Sequence, residues 1–364
     1  MRRTLFSPRQ RPALRLIAVC AAMLVSACRQ GPEAMMADYT ARVARITGQP
    51  IVLPQAAPLP YPRARDRHLP LPEVRARLLD LTDFQRCNLT QLIAERNSIM
   101  GRGYWPATRR LDYEFRFGHR LARCHAWLAD QDALDALDAD DAALLEHIAP
   151  LRAVKAATRP LAWWAATWAS DEFARYFSAA AALPDAAAQA PVRAFATLAA
   201  PARQFDDPPD GVALDDIESA LQTLRSAPYG GGWVRAAGQM TATLEAAAEA
   251  LEAVNLQRLC PQALPNPKAR IFETVFYQVY AGRLQPYLAA LHREGAAQHN
   301  AVAPLLAAAP AEAPAAFERY AQRALSTAPG SLWADLADAR QRHTLAWQRL
   351  LRGCGLMPDG SRPG

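Results

Sequence analysis

The sequence predicts an all-α fold, arranged as a multi-helix, bundle-like domain. Alanine, leucine and arginine, all strong helix formers, dominate the 364 residues, and long stretches contain no glycine. No stretch shows the strict alternation of apolar and polar residues, bounded by turn signals, that marks a half-buried strand. Since 51% of the residues are hydrophobic, such helices can bury a substantial core.

The N-terminus has the order of a secretory signal. Met1–Arg15 contains five arginines and no acidic residue, and Leu16–Val25 is an apolar run of ten. That run is too short to span a bilayer, which takes about 20 residues. Small residues then precede Cys28, whose thiol is available for acylation after cleavage. We therefore expect residues 1–27 to be a lipoprotein signal peptide and Cys28 to carry a lipid, such as palmitate, that anchors the chain to a membrane.

The residue after the anchor bears on localisation. Arg29 stands where an aspartate would retain a lipoprotein in the inner membrane of a Gram-negative bacterium. We therefore expect a lipid-anchored protein that faces the periplasm, at the outer membrane rather than the inner one.

Net charge argues against a nucleic-acid partner. The full chain carries 41 basic and 35 acidic residues, a formal net charge of +6. Five of the basic residues lie in the signal peptide, so the mature chain has 36 basic residues against 35 acidic ones. A nucleic-acid-binding domain needs a basic footprint on its folded surface. We therefore expect a membrane contact through the lipid, an envelope protein as candidate partner, and no nucleic acid.

The segment that follows the anchor is rich in proline. We assign residues 28–72 to the lipid anchor, a short helix near Pro32–Thr47 and a proline-rich stretch. Seven prolines between Pro50 and Pro72 exclude a helix there and indicate extended, polyproline-like chain. This stretch is either a spacer or a strap that wraps over the body of the protein.

The main domain is predicted as a single all-helical domain over residues 73–356, followed by a loose tail at 357–364. It starts with a helical hairpin. Glu73–Met100 has the apolar periodicity of a long amphipathic helix. Gly101–Gly103 interrupts that helix, and a second amphipathic helix is predicted over Pro106–Asp130.

Further helices are predicted along the rest of the chain, among them Ala142–Val154 and Pro160–Ala182. The second carries a cluster of six aromatic side chains: Trp163, Trp164, Trp168, Phe173, Tyr176 and Phe177. The cluster is either a platform for carbohydrate or part of the packed core. Core packing is the interpretation we favour, because large aromatic side chains are buried on average.

Polar side chains interrupt the apolar faces of the hairpin. Arg96 falls on the apolar face of the first helix and Glu114 on that of the second. A buried guanidinium needs a partner, and folding at Gly103 brings Arg96 near Glu114, or failing that near Asp112. The sequence thus predicts an Arg96–Glu114 ion pair. It belongs either to a functional polar site or to a structural pair that fixes the register of the hairpin, and the structural role is the one we expect. The candidate polar cluster comprises Gln91, Glu95, Arg96, Asn97, Asp112 and Glu114.

Four cysteines remain after the anchor, and in an oxidising compartment they indicate two disulfides. Cys87 and Cys124 lie about 16 and 21 residues from the turn of the hairpin. At 1.5 Å per residue, antiparallel helices place them at heights within roughly 8 Å of each other. The preferred pairing is therefore Cys87–Cys124, which leaves Cys260–Cys354. No cysteine spacing resembles a zinc site.

The same region carries a family resemblance. Tyr61–Arg67 (YPRARDR) precedes the hairpin, Gln91–Ser98 (QLIAERNS) lies in its first helix, and Arg110–Glu114 (RLDYE) lies in its second. Together these stretches resemble the domain of unknown function 3080 family of proteobacterial lipoproteins. The resemblance implies an envelope location and one helical domain. It implies no activity and supplies no catalytic residue.

Charge is unevenly distributed. Arg63–Arg123 holds thirteen arginines against seven acidic residues, and Asp130–Glu146 holds seven acidic residues and no lysine or arginine. Asp132, Asp135 and Asp138 recur every three residues, along one side of a predicted helix. These patterns indicate either a functional surface, namely a cation site or a basic surface for anionic lipid headgroups or glycans, or a solvated acidic face beside a basic one, each stabilising the other. We expect the second.

No common catalytic or cofactor motif is present: the sequence lacks HExxH, GxSxG, a Walker A loop and GxGxxG. No cofactor and no metal are therefore predicted. The leading hypothesis is a non-enzymatic binding or scaffolding component of the cell envelope. The alternative is a hydrolase or transferase that acts on envelope glycan or lipid through carboxylates such as Glu95 and Glu114. Whether these two side chains and Arg96 line an open cleft distinguishes the two hypotheses.

Overall fold

The structure is a computed structural model that describes residues 31–53, 59–72, 83–98, 103, 105–133, 135–227 and 229–357. These residues form helices, turns and loops without a strand, which confirms the predicted all-α fold. None of the described helices has the length and apolarity to cross a membrane. Several predicted features lie outside the described residues: the signal peptide, Cys28, the first ten residues of the predicted hairpin and nearly all of the tail.

The α-helices are numbered here in chain order, with two π-helical stretches, π1 and π2. They are α1 (Pro32–Thr47), α2 (Ala64–Arg67), α3 (Thr90–Asn97), α4 (Ala107–Asp132), α5 (Ala139–Ala166), α6 (Asp171–Tyr176), α7 (Val192–Ala199), α8 (Leu214–Ser226), α9 (Tyr229–Glu252), α10 (Leu256–Leu259), α11 (Pro267–Thr274), π1 (Val275–Leu284), α12 (Gln285–Ala307), α13 (Ala315–Tyr320), π2 (Ala321–Leu325) and α14 (Leu332–Gly353). Short 3-10 turns occupy Asp83–Gln85, Pro201–Gln204 and Pro261–Ala263.

The chain divides into two compact units, each assembled from separated stretches of sequence. Unit 1 contains the described residues up to Leu53, Thr243–Leu288 and those from Arg342 onward. Unit 2 contains the described residues of Pro54–Ala242 and of Ala289–Gln341.

The most extensively packed pair of helices in unit 2 is α4 and α5. Helix α5 continues through Pro150 and Pro160, so the sequence prediction of separate helices is wrong here. A proline removes one backbone donor, and packing along α4 holds the rest of the helix in place. The α4–α5 pair is thus the long hairpin of the fold.

The loop between α4 and α5 contains the spaced aspartates. Asp132 is the last residue of α4, and Asp135 adopts a left-handed backbone with φ of 52°. Asp138 caps α5, with its Oδ1 accepting a hydrogen bond of 2.8 Å from the Asp141 amide. The three aspartates therefore do not share one side of a helix. That interpretation is wrong because the spacing of three coincides with a helix end, a turn and a cap.

The described part of the predicted first hairpin helix is broken. Within residues 83–98 a 3-10 turn precedes α3, and Asn88 between them has a φ of 54°. Asparagine adopts this left-handed conformation more readily than most residues. The Leu89 amide closes the turn by donating to the Phe84 carbonyl at 3.2 Å. A continuous helix over Glu73–Met100 is therefore wrong at the turn that contains Cys87.

The end of the proline-rich stretch is a strap on unit 2. The Tyr61 hydroxyl donates to the Trp168 carbonyl at 2.6 Å. Arg67 is only 3% exposed, lies over the Tyr61 ring at 5.1 Å and donates to the Ala169 carbonyl at 3.3 Å. The sequence excluded helix throughout this stretch, but Ala64–Arg67 forms one turn of α2, since no proline falls inside it. These contacts favour the strap over the spacer for residues 59–72.

The six clustered aromatic side chains are all 0% exposed, which confirms the core interpretation. They do not belong to one helix. Helix α5 ends at Ala166, and Ser170 starts α6 by accepting a hydrogen bond of 3.2 Å from the Phe173 amide. The predicted helix Pro160–Ala182 is wrong beyond Ala166 because a serine cap restarts the chain in a new direction.

The core of unit 1 contains a buried polar contact on α1. Tyr39 and His343 share a hydrogen bond between the phenolic oxygen and Nε2, and Trp347 Nε1 donates to the same oxygen at 2.9 Å. Tyr280 lies 4.6 Å from the His343 ring, measured between ring centroids. Burial lowers the pKa of His343 to about 3, so the imidazole is neutral at physiological pH.

Candidate functional site

An open groove of about 720 Å³ lies in unit 2 between the turn around Asn88 and the outer side of α4. We call it the disulfide groove, because a disulfide contributes to its lining. Its lining residues are Gln85, Arg86, Cys87, Asn88, Thr90, Gln91, His119, Arg120, Arg123, Cys124, Trp127 and Asp210.

The periodicity of α4 explains why its groove residues converge. His119, Arg120, Arg123, Cys124 and Trp127 are spaced one, three or four residues apart, so they lie along one side of the helix. The adjoining side packs into the core through Leu121 and Leu128, and Cys124 at the boundary belongs to that core as well. The same helix therefore supplies both a core face and a groove face.

The disulfide Cys87–Cys124 joins the turn to α4, with the two Cα atoms 5.1 Å apart. The Arg120 guanidinium also crosses the groove and donates to the Asn88 carbonyl at 3.0 Å. Both links connect the same two segments, so the width of the groove is fixed covalently and by a hydrogen bond. This pairing agrees with the one expected from helix heights. The pair that this assignment leaves, Cys260–Cys354, is bonded in unit 1, where the Cα atoms are 5.3 Å apart.

Three arginines and one carboxylate line the groove. Arg86 pairs with Asp141, and Arg120 pairs with Asp210 over 3.3 Å. Arg123 is exposed and makes no ion pair or hydrogen bond with another described residue. Among the described lining residues, Arg123 is therefore the arginine without a carboxylate partner, and it lies beside two arginines that are held in position.

Polar and aromatic groups complete the lining. His119 Nδ1 lies 2.9 Å from the Pro208 carbonyl oxygen, which can only accept, so Nδ1 is the donor. Thr90 Oγ1 is buried and has no hydrogen-bond partner among the described residues. The Trp127 side chain is 46% exposed at the groove. The exposed indole among charged and polar side chains suits the binding of a polar ligand that also has an apolar surface.

A second polar cluster lies away from the groove, in the interior between α4 and α5. Glu114 is 0% exposed and accepts from Lys155 Nζ at 2.9 and 3.2 Å. Arg110 NH2 lies 2.8 Å from the same carboxylate. The Lys155 ammonium also lies 4.6 Å from the centroid of the Phe117 ring. Burial lowers the pKa of Lys155, and the Glu114 carboxylate opposes that shift.

The family assignment follows from a match over nearly the whole chain. The model of a family described as protein of unknown function (DUF3080) matches residues 36–358. The chain belongs to this family. No curated protein matches it, and no solved structure does. The match confirms the family expected from the sequence. In this DUF3080 chain the matched region includes both disulfides, the groove and the buried cluster of Glu114.

The buried cluster corrects one prediction for the DUF3080 chain. Arg96 is not among the ion-pair partners of Glu114 in the described part of the structure. Its guanidinium lies 5.3 Å from the Trp105 ring instead. Lys155 occupies the position beside Glu114 that the sequence assigned to Arg96. It lies outside residues 73–130, so the pattern of the predicted hairpin gave no sign of it. The Arg96–Glu114 pair is therefore wrong.

The other members of the candidate polar cluster have different contacts. Arg116 bridges Glu95 and Asp112, at 3.5 and 3.6 Å. Asp112 also accepts from the Val212 amide at 3.1 Å. Gln91 lines the groove, and Asn97 is exposed at the end of α3. Glu95, Arg96 and Glu114 nevertheless all act electrostatically on Tyr113, so the structure brings part of the predicted cluster together.

Two observations concern the acidic residues. Glu114 does not reach solvent, so Glu95 and Glu114 do not line a common open cleft. Among the described residues, no group of three or more histidine, cysteine, aspartate or glutamate side chains is arranged to hold a metal ion. Sequence reasoning also missed the groove itself, for which the only signals were the arginine excess and an asparagine at a turn.

Proposed function

We propose that this DUF3080 protein is a lipid-anchored, periplasm-facing component of the cell envelope that acts by binding rather than by catalysis. The observation that carries the proposal is the disulfide groove, an open, arginine-lined depression whose two walls are joined by Cys87–Cys124. A groove of fixed width presents its polar groups in place, which lowers the ordering cost of binding.

The location rests on the sequence and on the cysteines. The arginine-rich start, the short apolar run and the small residues before Cys28 support export and lipid attachment. The two disulfides support an oxidising compartment, because such bonds persist outside the cytosol. Arg29 supports delivery to the outer membrane.

Binding is preferred to hydrolysis because of the carboxylates. Hydrolysis of a glycosidic bond usually takes two carboxyl groups beside one substrate. The described lining of the groove contains a single one, Asp210, and it is paired with Arg120. Glu114, one of the two carboxylates named from the sequence, is enclosed by Arg110 and Lys155. These observations favour a binding or scaffolding role.

Lipid attachment and location are tested together by labelling and fractionation. Cells that express the chain are fed radioactive palmitate, and their membranes are separated by density. We expect label on the protein in the outer-membrane fraction and none on a Cys28→Ala variant. A protein found only in the inner membrane contradicts the outer-membrane location, and an unlabelled protein contradicts the anchor.

Binding at the groove is tested by site-specific crosslinking in intact cells. A photo-crosslinking residue is placed at Gln91, which is exposed in the groove, and as a control at Arg109, which is exposed on α4 outside it. We expect a crosslinked species at position 91 and none at position 109. Equal crosslinking at both positions, or none at either, contradicts a binding role for the groove.

A further inference from the structure

We propose that one face of unit 1 lies on the membrane that carries the anchor and binds its anionic phospholipids. We call it the membrane face, and it consists of three exposed apolar side chains and three exposed cations: Leu264, Ile271, Tyr277, Arg258, Lys268 and Arg352. The inference rests on the lipid anchor proposed above and adds the surface that contacts the bilayer. It follows from an apolar patch, a local excess of positive charge and the short chain between the anchor and α1.

The apolar part of the membrane face is open to solvent. Leu264 and Ile271 are 65% and 54% exposed, and Tyr277 is 40% exposed. Ile271 and Tyr277 lie on the exposed side of the continuous segment α11–π1, whose other side is buried through residues such as Ala269 and Phe272. Aliphatic side chains gain free energy when they enter the boundary between headgroups and acyl chains, and tyrosine is enriched at that depth. The patch therefore suits the interface of a bilayer.

The turn that carries Leu264 has a fixed conformation. Cys260 at its start is bonded to Cys354. Gln262 and Ala263 both have left-handed backbones, with φ of 60° and 61°. Residues other than glycine seldom adopt this conformation, and they keep it where the surrounding structure enforces it. The leucine is thus presented outward by an ordered turn, which lowers the ordering cost of placing it in a lipid surface.

Positive charge accompanies the apolar side chains. Residues 253–288 and 343–357 together hold six lysines and arginines and one acidic residue, which is itself paired with an arginine. Arg258, Lys268 and Arg352 are exposed and have no ion-pair partner among the described residues. The first and last of these lie two residues from the bonded cysteines, so the disulfide brings both cations beside the same turn. An anionic lipid surface attracts such a group of cations.

The length of the tether indicates that the occupant of this face is lipid. Cys28 precedes Pro32, the first residue of α1, by four residues, so the chain between them spans at most about 14 Å. Helix α1 packs against both α11 and π1. Its Asp38 accepts a hydrogen bond of 3.0 Å from Arg283 of π1. A bilayer that holds the acyl chains of Cys28 is therefore within reach of the elements that carry most of the membrane face.

Photo-crosslinking to lipid tests the membrane face directly. The lipidated mature protein is reconstituted in vesicles of phosphatidylglycerol and phosphatidylethanolamine, with a photo-crosslinking residue at Leu264 or at Ile271. The control position is Leu345, which is 56% exposed in the same unit. It lies two residues before Trp347, which packs against Phe272 of α11, so it is on the side of α14 that is turned away from α11. We expect phospholipid adducts in the mass spectrum at positions 264 and 271, and several-fold fewer at position 345.

Substitutions separate the apolar and the charged contributions. With the crosslinking residue at Tyr277, the double variant Leu264→Asp with Ile271→Asp should lower the yield of lipid adducts several-fold, because the apolar contact is lost. Lys268→Glu should lower it in vesicles that contain phosphatidylglycerol and have little effect in vesicles of phosphatidylcholine, which is neutral. Leu345→Asp, the matched control, should change neither yield. Circular dichroism checks that each variant folds.

Three results overturn the inference. The first is an equal yield of lipid adducts at positions 264 and 345, and the second is no adduct at positions 264 and 271. The third is a crosslink between two copies of the chain in place of lipid, which makes this face an interface between copies. If palmitate labelling of Cys28 fails, the anchor and the membrane face both fail. If labelling succeeds and any of the three results is obtained, the anchor stands and the membrane face is wrong.

The binding role of the disulfide groove is separable from this outcome. Crosslinks at Gln91 report on the groove in unit 2, and the membrane face contributes no residue to the lining of that groove. A negative result at positions 264 and 271 therefore leaves the groove as it is.

Discussion

Lys155 Nζ lies 2.9 and 3.2 Å from the two carboxylate oxygens of Glu114, and the pair links α5 to α4 inside unit 2. The lysine is 4% exposed and the glutamate 0%. Removing one member of such a pair leaves the other charge buried. The pair is therefore expected to fix the register of the two longest helices.

Replacing the lysine tests this role. Lys155→Met should destabilise the protein by about 3 kcal/mol, the low end for a broken buried pair, since Arg110 remains beside Glu114. The free energy of unfolding in urea measures the loss. The double variant Lys155→Met with Glu114→Leu should recover part of it, because no buried charge is then unpaired. A single variant as stable as the original protein contradicts the structural role.

His343 makes the stability of unit 1 dependent on pH. Its folded pKa of about 3 lies below the ordinary value of 6.5, so between those values the unfolded chain binds a proton that the folded chain does not. Stability is then complete above pH 6.5 and falls by about 1.4 kcal/mol for each pH unit down to pH 3. His343→Gln should flatten this dependence, measured by urea unfolding at several pH values.

The control for this dependence is His147→Gln, which changes an exposed histidine. It should leave the slope of stability against pH unchanged. A slope that persists in His343→Gln as strongly as in the control assigns the effect to other groups.

Each of the two disulfides is expected to stabilise the unit that contains it. Replacing Cys87 and Cys124 together by alanine should lower the free energy of unfolding by about 2 to 5 kcal/mol, because a native link is removed. Replacing Cys260 and Cys354 should cost a similar amount. Mass spectrometry of peptides under non-reducing conditions checks the pairing itself, and a Cys87–Cys260 link contradicts it.

The contacts of Arg67 predict how readily the strap, residues 59–72, is cut by a protease. Arg67→Met removes the donors that reach the carbonyls of Pro62, Ala169 and Ser170, and leaves those oxygens without this partner. The strap should then open more often and be cut faster by trypsin, at Arg63 or Arg65, while the rest of the chain stays resistant. Arg203→Met, at an exposed arginine outside the strap, is the matched control. An unchanged cutting rate at the strap contradicts its attachment to unit 2.

The sequence predicted the cysteine pairing even though it missed the shape of the segment. Cys87 sits in a turn and not in a helix, yet the segment still runs antiparallel to α4. Glu95 contacts Arg116, Asn88 contacts Arg120, and Cys87 bonds to Cys124. The height argument depends on residue counts along an antiparallel pair, so a local break did not disturb it.

Other features needed information that local patterns do not carry. Lys155, the partner of Glu114, is 41 residues further along the chain, on a helix outside the predicted hairpin. The left-handed backbone of Asn88 forms part of the groove wall, but an asparagine in a polar run does not by itself predict that conformation. The two units each combine separated stretches, and periodicity gives no signal of which stretches meet.

Intact-mass spectrometry of the protein extracted from membranes, without reducing agent, tests the central claim of an exported, lipid-anchored chain most directly. We predict a chain that begins at Cys28, carries added acyl mass on that residue and lacks four further hydrogens because of two disulfides. A chain that retains residues 1–27, has no acyl mass, or has free thiols at the four remaining cysteines contradicts that claim.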